Sequence, residues 1–433
     1  MSQILLALLL VFALASPVLA DVPVTRRVLA NGMVVVVRED PGVGVVAASL
    51  QVRAGSLFET EATAGVTNFM QRVLVRGTEK RSTLGLLEAA EELGGSLEAS
   101  GDVETAEIRG TAIARQWEAL LGLLAEVLLE PTFPGAEVER ERRLLLGQLQ
   151  TRADNPFPRT FDTALREMYG AHPYAWPALG RTESVRQLTR DALIAHYRRV
   201  YRPDRIVLAV SGNVPRTAVV AAAERLFRRV PPAAGAPSAP TVEPSPRGEP
   251  RLVERDARQA QVLLGFLAPP VLHADYAAAR VLAMVLGGGM SSRLFTELRD
   301  RRGLAYSVGV LATVRTGPAL FAPYLATAPV NADAALAGLL AEVERLRAEP
   351  IGEPELARAR AYLLGSLARD RRTSAQLAWH LAFYELVGAG WDWPQRFARA
   401  VAAVTTDDVA RVAQQYLVRP TVVVLRPPKE GGG

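Results

Sequence analysis

From Val22 onward the chain alternates short apolar runs with turn residues. Thr25 to Val28 and Met33 to Val37 flank Asn31-Gly32, a pair that favours a tight hairpin, so both runs are predicted strands. Val45 to Val52 predicts a third strand, closed by Ala54-Gly55-Ser56. The period then lengthens to three or four residues across GVTNFMQRVLVRGT, Gly65 to Thr78, which predicts a helix. Ser82 to Leu93 predicts a second helix, with Ser82 and Thr83 as candidate caps. Val103 to Ile113 alternates as a strand, Arg115 to Leu129 is helical and stopped by Pro131, and Ala136 to Arg152 is a longer helix. Asp191 to Val200 is helical, and Arg205 to Val210 is a strand running out at Ser211-Gly212-Asn213.

Val230 to Pro250 is rich in proline, alanine, glycine and serine and reads as a linker. Beyond it the order recurs. Arg251 to Leu267 supplies strands, Ala277 to Leu286 a helix, Tyr306 to Val314 and Ala319 to Ala326 strands, and Glu355 to Arg369 a helix placed as Glu137 to Arg152 was. Thr189-Arg190-Asp191 leading to Tyr201-Arg202-Pro203 and a strand is echoed by Thr405-Thr406-Asp407-Asp408 leading to Tyr416, Arg419-Pro420 and Thr421 to Leu425. A repeat at the length of a domain predicts two copies of one α+β unit, residues 21–229 and 251–426, joined by a linker at 230–250 and followed by a tail at 427–433.

Composition narrows this picture. With 433 residues, 49% of them apolar, the chain can bury large cores. The net charge of +5 rests on arginines scattered among acids, the only lysines being Lys80 and Lys429; no basic block or nucleic-acid motif is present. Residues 1–20 carry no charge, run apolar from Ile4 to Ala15, and end in Val18-Leu19-Ala20. That is the pattern of a secretory signal cleaved before Asp21, although its usual basic start is missing; a retained anchor is the competing reading. The run is too short to span a bilayer, and without any cysteine neither a lipoprotein anchor nor a disulfide can form. The expectation is a mature protein with no stable membrane anchor in an exported, periplasmic compartment.

The chemistry centres on Gly65 to Thr78. Asn68, Gln71 and Arg72 fall on one helical face. An inverted zinc helix needs His-x-x-Glu-His there, two imidazoles for the metal and a carboxylate for its water. Asn-x-x-Gln-Arg offers poor ligands and a fixed positive charge. Taken alone the segment also reads as an ordinary amphipathic helix. With Gly65, Phe69, Met70 and the Arg76-Gly77-Thr78 exit, however, it resembles the motif of the insulinase (pitrilysin) family of zinc peptidases. Gly94-Gly95-Ser96-Leu97-Glu98-Ala99 resembles the family stretch that begins the edge strand aligning a substrate peptide, with Glu98 where the family has asparagine. Glu139 to Arg143 leads into a helix like the one carrying the family's third ligand, a glutamate, and the register from Arg72 lands on Gln148. Glu141 keeps the acidic residue usual behind the metal. The resemblance implies two similar halves, each an antiparallel sheet covered by helices.

Glu297 to Val308 resembles the family's second-half motif, which implies that Arg299 and Tyr306 bind substrate backbone and help stabilise an oxyanion at a zinc site. Gly287-Gly288-Gly289 is read as a flexible turn with Ser291 or Ser292 capping the next helix, since no Gly-Lys-Ser/Thr follows to suggest a nucleotide site. His172, His196, His273 and His380 have no ligand spacing and are read as structural. The resemblance thus implies a non-catalytic subunit: no cofactor in this chain, zinc in a catalytic partner with an intact motif, and an extended peptide as substrate. The alternative is a peptide-binding or scaffold homodimer without a hydrolytic role.

Overall fold

The computed structural model describes residues 22–230, 242–246 and 250–428. The signal segment, most of the linker and the end of the tail lie outside them. The first half runs β1 (Val24–Val28), β2 (Val34–Glu39), β3 (Val45–Val52), α1 (Val66–Leu74), α2 (Thr83–Glu92), β4 (Ser96–Gly101), β5 (Ala106–Ile113), α3 (Trp117–Leu129), α4 (Gly135–Asp154), α5 (Pro156–Tyr169), α6 (Thr182–Gln187), α7 (Arg190–Val200), β6 (Ile206–Gly212) and α8 (Arg216–Phe227). The second runs β7 (Arg251–Glu254), β8 (Ala260–Ala268), α9 (Tyr276–Gly287), a π-helical turn (Phe295–Arg301), β9 (Ser307–Ala312), β10 (Ala319–Thr327), α10 (Ala332–Ala348), α11 (Glu353–Arg369), α12 (Ser374–Leu386), α13 (Trp393–Ala403), α14 (Thr406–Tyr416) and β11 (Thr421–Arg426).

The repeat is visible in the sheets. The first has strand order β1-β2-β6-β3-β5-β4 and the second β7-β11-β8-β10-β9. Without β1 the first order is that of the second, so β9 holds the edge position that β4 holds. Both sheets are antiparallel except for one parallel pair each, β2 with β6 and β7 with β11. Each parallel pair joins strands far apart in sequence, which the alternation of apolar residues does not reveal.

Hydrophobic periods explain the layers. On β3, Val46, Ala48, Leu50 and Val52 point into a core shared with Phe69, Met70, Val73 and Leu74 of α1. Ser49 and Gln51, on the alternate positions, face the other side. The halves also exchange a helix. Ala164, Met168 and Tyr169 of α5 pack on Leu263, Leu320 and Val423 of the second sheet. In return Leu381, Ala382 and Leu386 of α12 pack on Val36, Val207 and Ala209 of the first. Polar ties follow the same path: the Tyr174 hydroxyl donates to Glu104, whose carboxylate also accepts the Thr316 N–H and hydroxyl, each at 2.9 Å.

Helix α5 was not foreseen. Asn155-Pro156-Phe157-Pro158 looks like a breaker, but the prolines lie in the first turn of α5, where their missing N–H groups cost little. The glycine run also departs from expectation. A Cβ on Gly287 would lie 2.6 Å from the Val310 nitrogen, so this residue permits close packing of α9 on β9. Ser292 donates its hydroxyl back to the Gly289 carbonyl at 2.6 Å and caps nothing.

Candidate functional site

Helix α1 is fixed before its polar face is considered. Val66, Phe69, Met70, Val73 and Leu74 bury its apolar stripe, each large side chain contributing roughly 1.5–3 kcal/mol. At its start the buried Glu59 carboxylate accepts the N–H groups of Gly65 (2.7 Å) and Thr67 (2.8 Å), a cap supplied from outside the helix. Burial raises the Glu59 pKa, and the Thr67 hydroxyl, also bonded to it, opposes the rise. Arg199 donates to His196 Nδ1 at 3.0 Å, which leaves Nε2 to donate to Thr67 Oγ1 at 2.9 Å. Burial, and then Arg199, push the His196 pKa down to about 3, so the ring is neutral at pH 7.

The polar face of α1 points to the end of β4 and to α4. Asn68 Nδ2 donates to the Gly101 carbonyl at 3.3 Å, and a Cβ on Gly101 would lie 3.0 Å from the Asn68 backbone, so this strand end and helix touch because the residue is glycine. Gln71 has no exposed surface. Its Nε2 donates to the carbonyls of Ser100 (3.1 Å) and Glu107 (3.2 Å), and its Oε1 accepts the Tyr201 hydroxyl (2.8 Å). Burial raises the Tyr201 pKa and keeps that phenol a donor.

Arg72 turns toward α4. Its Nε donates to Glu141 Oε2 at 2.9 Å and its Nη1 to Gln148 Oε1 at 3.0 Å. Arg76, one turn on, pairs through Nη2 with Glu141 Oε1 at 2.9 Å. Glu141 is 1% exposed, so one buried carboxylate between the helices is hydrogen-bonded by Arg72 and ion-paired with Arg76, while its Oε1 has no hydrogen-bond partner. The counted register therefore does bring Arg72 and Gln148 into contact. Zinc does not fit this donor set: a permanent cation joins the two helices, Gln71 is fully engaged elsewhere, and no group of three or more His, Cys, Asp or Glu able to hold a metal occurs among the described residues.

Arg299 and Tyr306 stand apart from this cluster. No hydrogen bond or ion pair joins either to Asn68, Gln71, Arg72 or Gln148. Arg299 lies on the π-helical turn with its guanidinium 4.7 Å from the Phe295 ring centroid, and Tyr306, 61% exposed, leads into edge strand β9. Tyr306 is anchored by its backbone N–H, which donates to the Ala326 carbonyl at 2.9 Å. Among the described residues neither its hydroxyl nor the Arg299 guanidinium has a hydrogen-bond partner. Sequence reasoning missed Tyr201, Glu59 and Arg76 as supports of the α1 face. Arg76 was legible as the residue one turn after Arg72; the other two reach α1 only through the fold.

The class this geometry defines is a fold of two similar halves in which an arginine joins the polar face of α1 to α4. Residues 34–181 match the sequence profile of the insulinase family, peptidase family M16, and residues 187–363 that of the peptidase M16 inactive domain. An uncharacterized zinc protease of Streptomyces coelicolor is 30% identical over 94% of this chain and 90% of its own length, and one of Mycobacterium tuberculosis is 31% identical over 94% and 93%. Two solved structures share the fold: a protease from Helicobacter pylori (TM-score 0.88, 21% identity, 94% of this chain and 100% of that one) and a peptidase M16 inactive domain from Pseudomonas fluorescens (0.86, 23%, 94% and 98%). The chain belongs to the insulinase family, peptidase family M16.

Proposed function

We propose that this protein is the non-catalytic subunit of a two-chain zinc peptidase. Its partner is a similar-sized chain of the same family with an intact His-x-x-Glu-His motif, and the zinc belongs to that partner. This chain closes the chamber, offers the open edge of β4 to an extended peptide, and lends Arg299 and Tyr306 to the partner's zinc site. The observation that carries the reading is the Arg72 guanidinium bonded at once to Glu141 and Gln148, across the two helices that the family's metal would join. The exposure of Arg299 and Tyr306 supports the second part, because groups serving another chain must face outward. The uncharged, apolar start of the chain supports an exported, periplasmic location; separately, no described helix is long and apolar enough to cross a membrane.

The test is to reconstitute the pair and measure turnover of one peptide. Arg299→Ala and Tyr306→Phe should each lower kcat by roughly 10²-fold to 10³-fold, the usual loss of one oxyanion donor, with the complex unchanged in size. Unchanged turnover in both variants would remove their active-site role and leave a peptide-binding homodimer in front.

A further inference from the structure

The residues that displace a metal also build a cleft. About 250 Å³ of space beside β4 is lined by Arg72, Arg76 and Glu141 together with Val75, Leu86, Leu87, Leu97 and Ala99. Its charges do not balance. Glu141 is shared by two arginines, and Glu98, which also borders the cleft, is paired with Arg109 of the neighbouring strand. With Glu98 neutralised by Arg109, one positive charge is left over in a partly buried space of mixed polar and apolar lining. The donors are not exhausted either: an arginine has five N–H groups, and among the described residues Arg72 places hydrogen bonds through Nε and Nη1 only, while Arg76 makes an ion pair through Nη2. Arg76 Nε is buried with no hydrogen-bond partner, as is Glu141 Oε1 beside it, so the surplus lies in the count of charges and of arginine N–H groups and not in a lack of acceptors. Unmet charged donors beside apolar walls call for an anion on an apolar body.

We propose that this cleft binds a peptide carboxylate, held by the guanidinium groups of Arg72 and Arg76 with an aliphatic side chain against Leu86, Leu87 and Leu97. The carboxylate is either the C-terminus of the peptide or an acidic side chain. The proposal rests on the reading that an extended peptide lies along β4, which places its groups at this cleft. In this account the family's metal position has become a fixed cation that reads the charge of the peptide instead of cleaving it.

Three labelled peptides of one leucine-rich sequence test this on the full chain: a free C-terminal acid, its C-terminal amide, and the amide with glutamate as the last residue. Calorimetry with 3-methylbutanoate probes the pocket without any strand pairing. The free acid, the glutamate amide or both should bind roughly tenfold tighter than the plain amide, the ratio expected of one charge-assisted pair, and which of them does so identifies the source. Arg76→Gln should abolish that preference while the plain amide keeps its affinity. Glu141→Gln, which frees both arginines and changes no shape, should strengthen binding of the acidic peptide, an effect that loss of folding cannot mimic. Equal affinity for all three peptides, with no heat from 3-methylbutanoate, overturns the carboxylate pocket and leaves the β4 reading intact. If 3-methylbutanoate binds and Arg76→Gln abolishes it while no peptide binds, the pocket stands and the strand reading falls.

Discussion

The polar face of α1 and the turn from Arg299 to Tyr306 hold functional-looking side chains in opposite ways. On α1 the replacements are consumed by the fold: Gln71 bonds two carbonyls and a phenol, and Arg72 bonds Glu141 and Gln148. On the turn, Arg299 touches only an aromatic face and the Tyr306 hydroxyl faces solvent. A buried side chain bonded inside its own chain, as Gln71 is, contributes stability, whereas exposed and unengaged groups contribute little to it. The contrast gives the bonds of Gln71, Glu141 and Gln148 a structural task, with only spare arginine donors left over, and leaves Arg299 and Tyr306 for something outside the chain.

The largest effect expected is a repair of α1. Replacing Asn68→His, Gln71→Glu, Arg72→His and Gln148→Glu together should raise zinc affinity by roughly 10³-fold or more, because the helices already supply the geometry and lack only ligands. Any repair that leaves Arg72 should fail, since its charge stays between the helices. Metal titration checks both; a quadruple variant that folds but gains no affinity would show that the contact between Arg72 and Gln148 does not supply ligand geometry.

Gln71→Glu alone probes the same region for stability. A carboxylate would face the Ser100 and Glu107 carbonyls that Nε2 now bonds, at a cost of roughly 3 kcal/mol in chemical denaturation. Arg299→Ala should change stability by less than about 0.5 kcal/mol in the same assay. Equal losses in the two variants would erase the contrast.

An effect smaller at each pH unit concerns the support of α1. His196 is held at about 3, below the ordinary 6.5, so the unfolded chain takes up a proton that the folded chain refuses as pH falls between these values. The stability that His196 contributes is complete above 6.5 and declines toward pH 3 by about 1.4 kcal/mol per unit. His196→Gln should remove that portion of the acid slope; an identical slope in the variant would mean that the ring is already protonated in the fold.

Much of this was legible in order along the chain. The Asn31-Gly32 hairpin, β3 with its exact ends, α2 with Ser82 accepting the Gly85 N–H, and the repeat of the second half all follow from local period and turn chemistry. What could not be read is non-local. Nothing in PFPRTFDTALREMY says that α5 will lie on the other half's sheet, or that α12 will answer it. Likewise the shared face of Asn68, Gln71 and Arg72 follows from helical spacing, but the bonding of Gln71 depends on Tyr201, β4 and β5, and that of Arg72 on Glu141 and Gln148 of α4, which reach α1 through the fold.

The most direct test of the central claim is zinc content and peptide turnover of the purified chain, first alone and then mixed with a family chain carrying an intact His-x-x-Glu-His motif. The account predicts no stoichiometric zinc and no cleavage alone, and one zinc per pair with cleavage on mixing. One tightly held zinc in the chain alone, with hydrolysis lost on mutating Asn68, Gln71, Arg72 and Gln148, would contradict it.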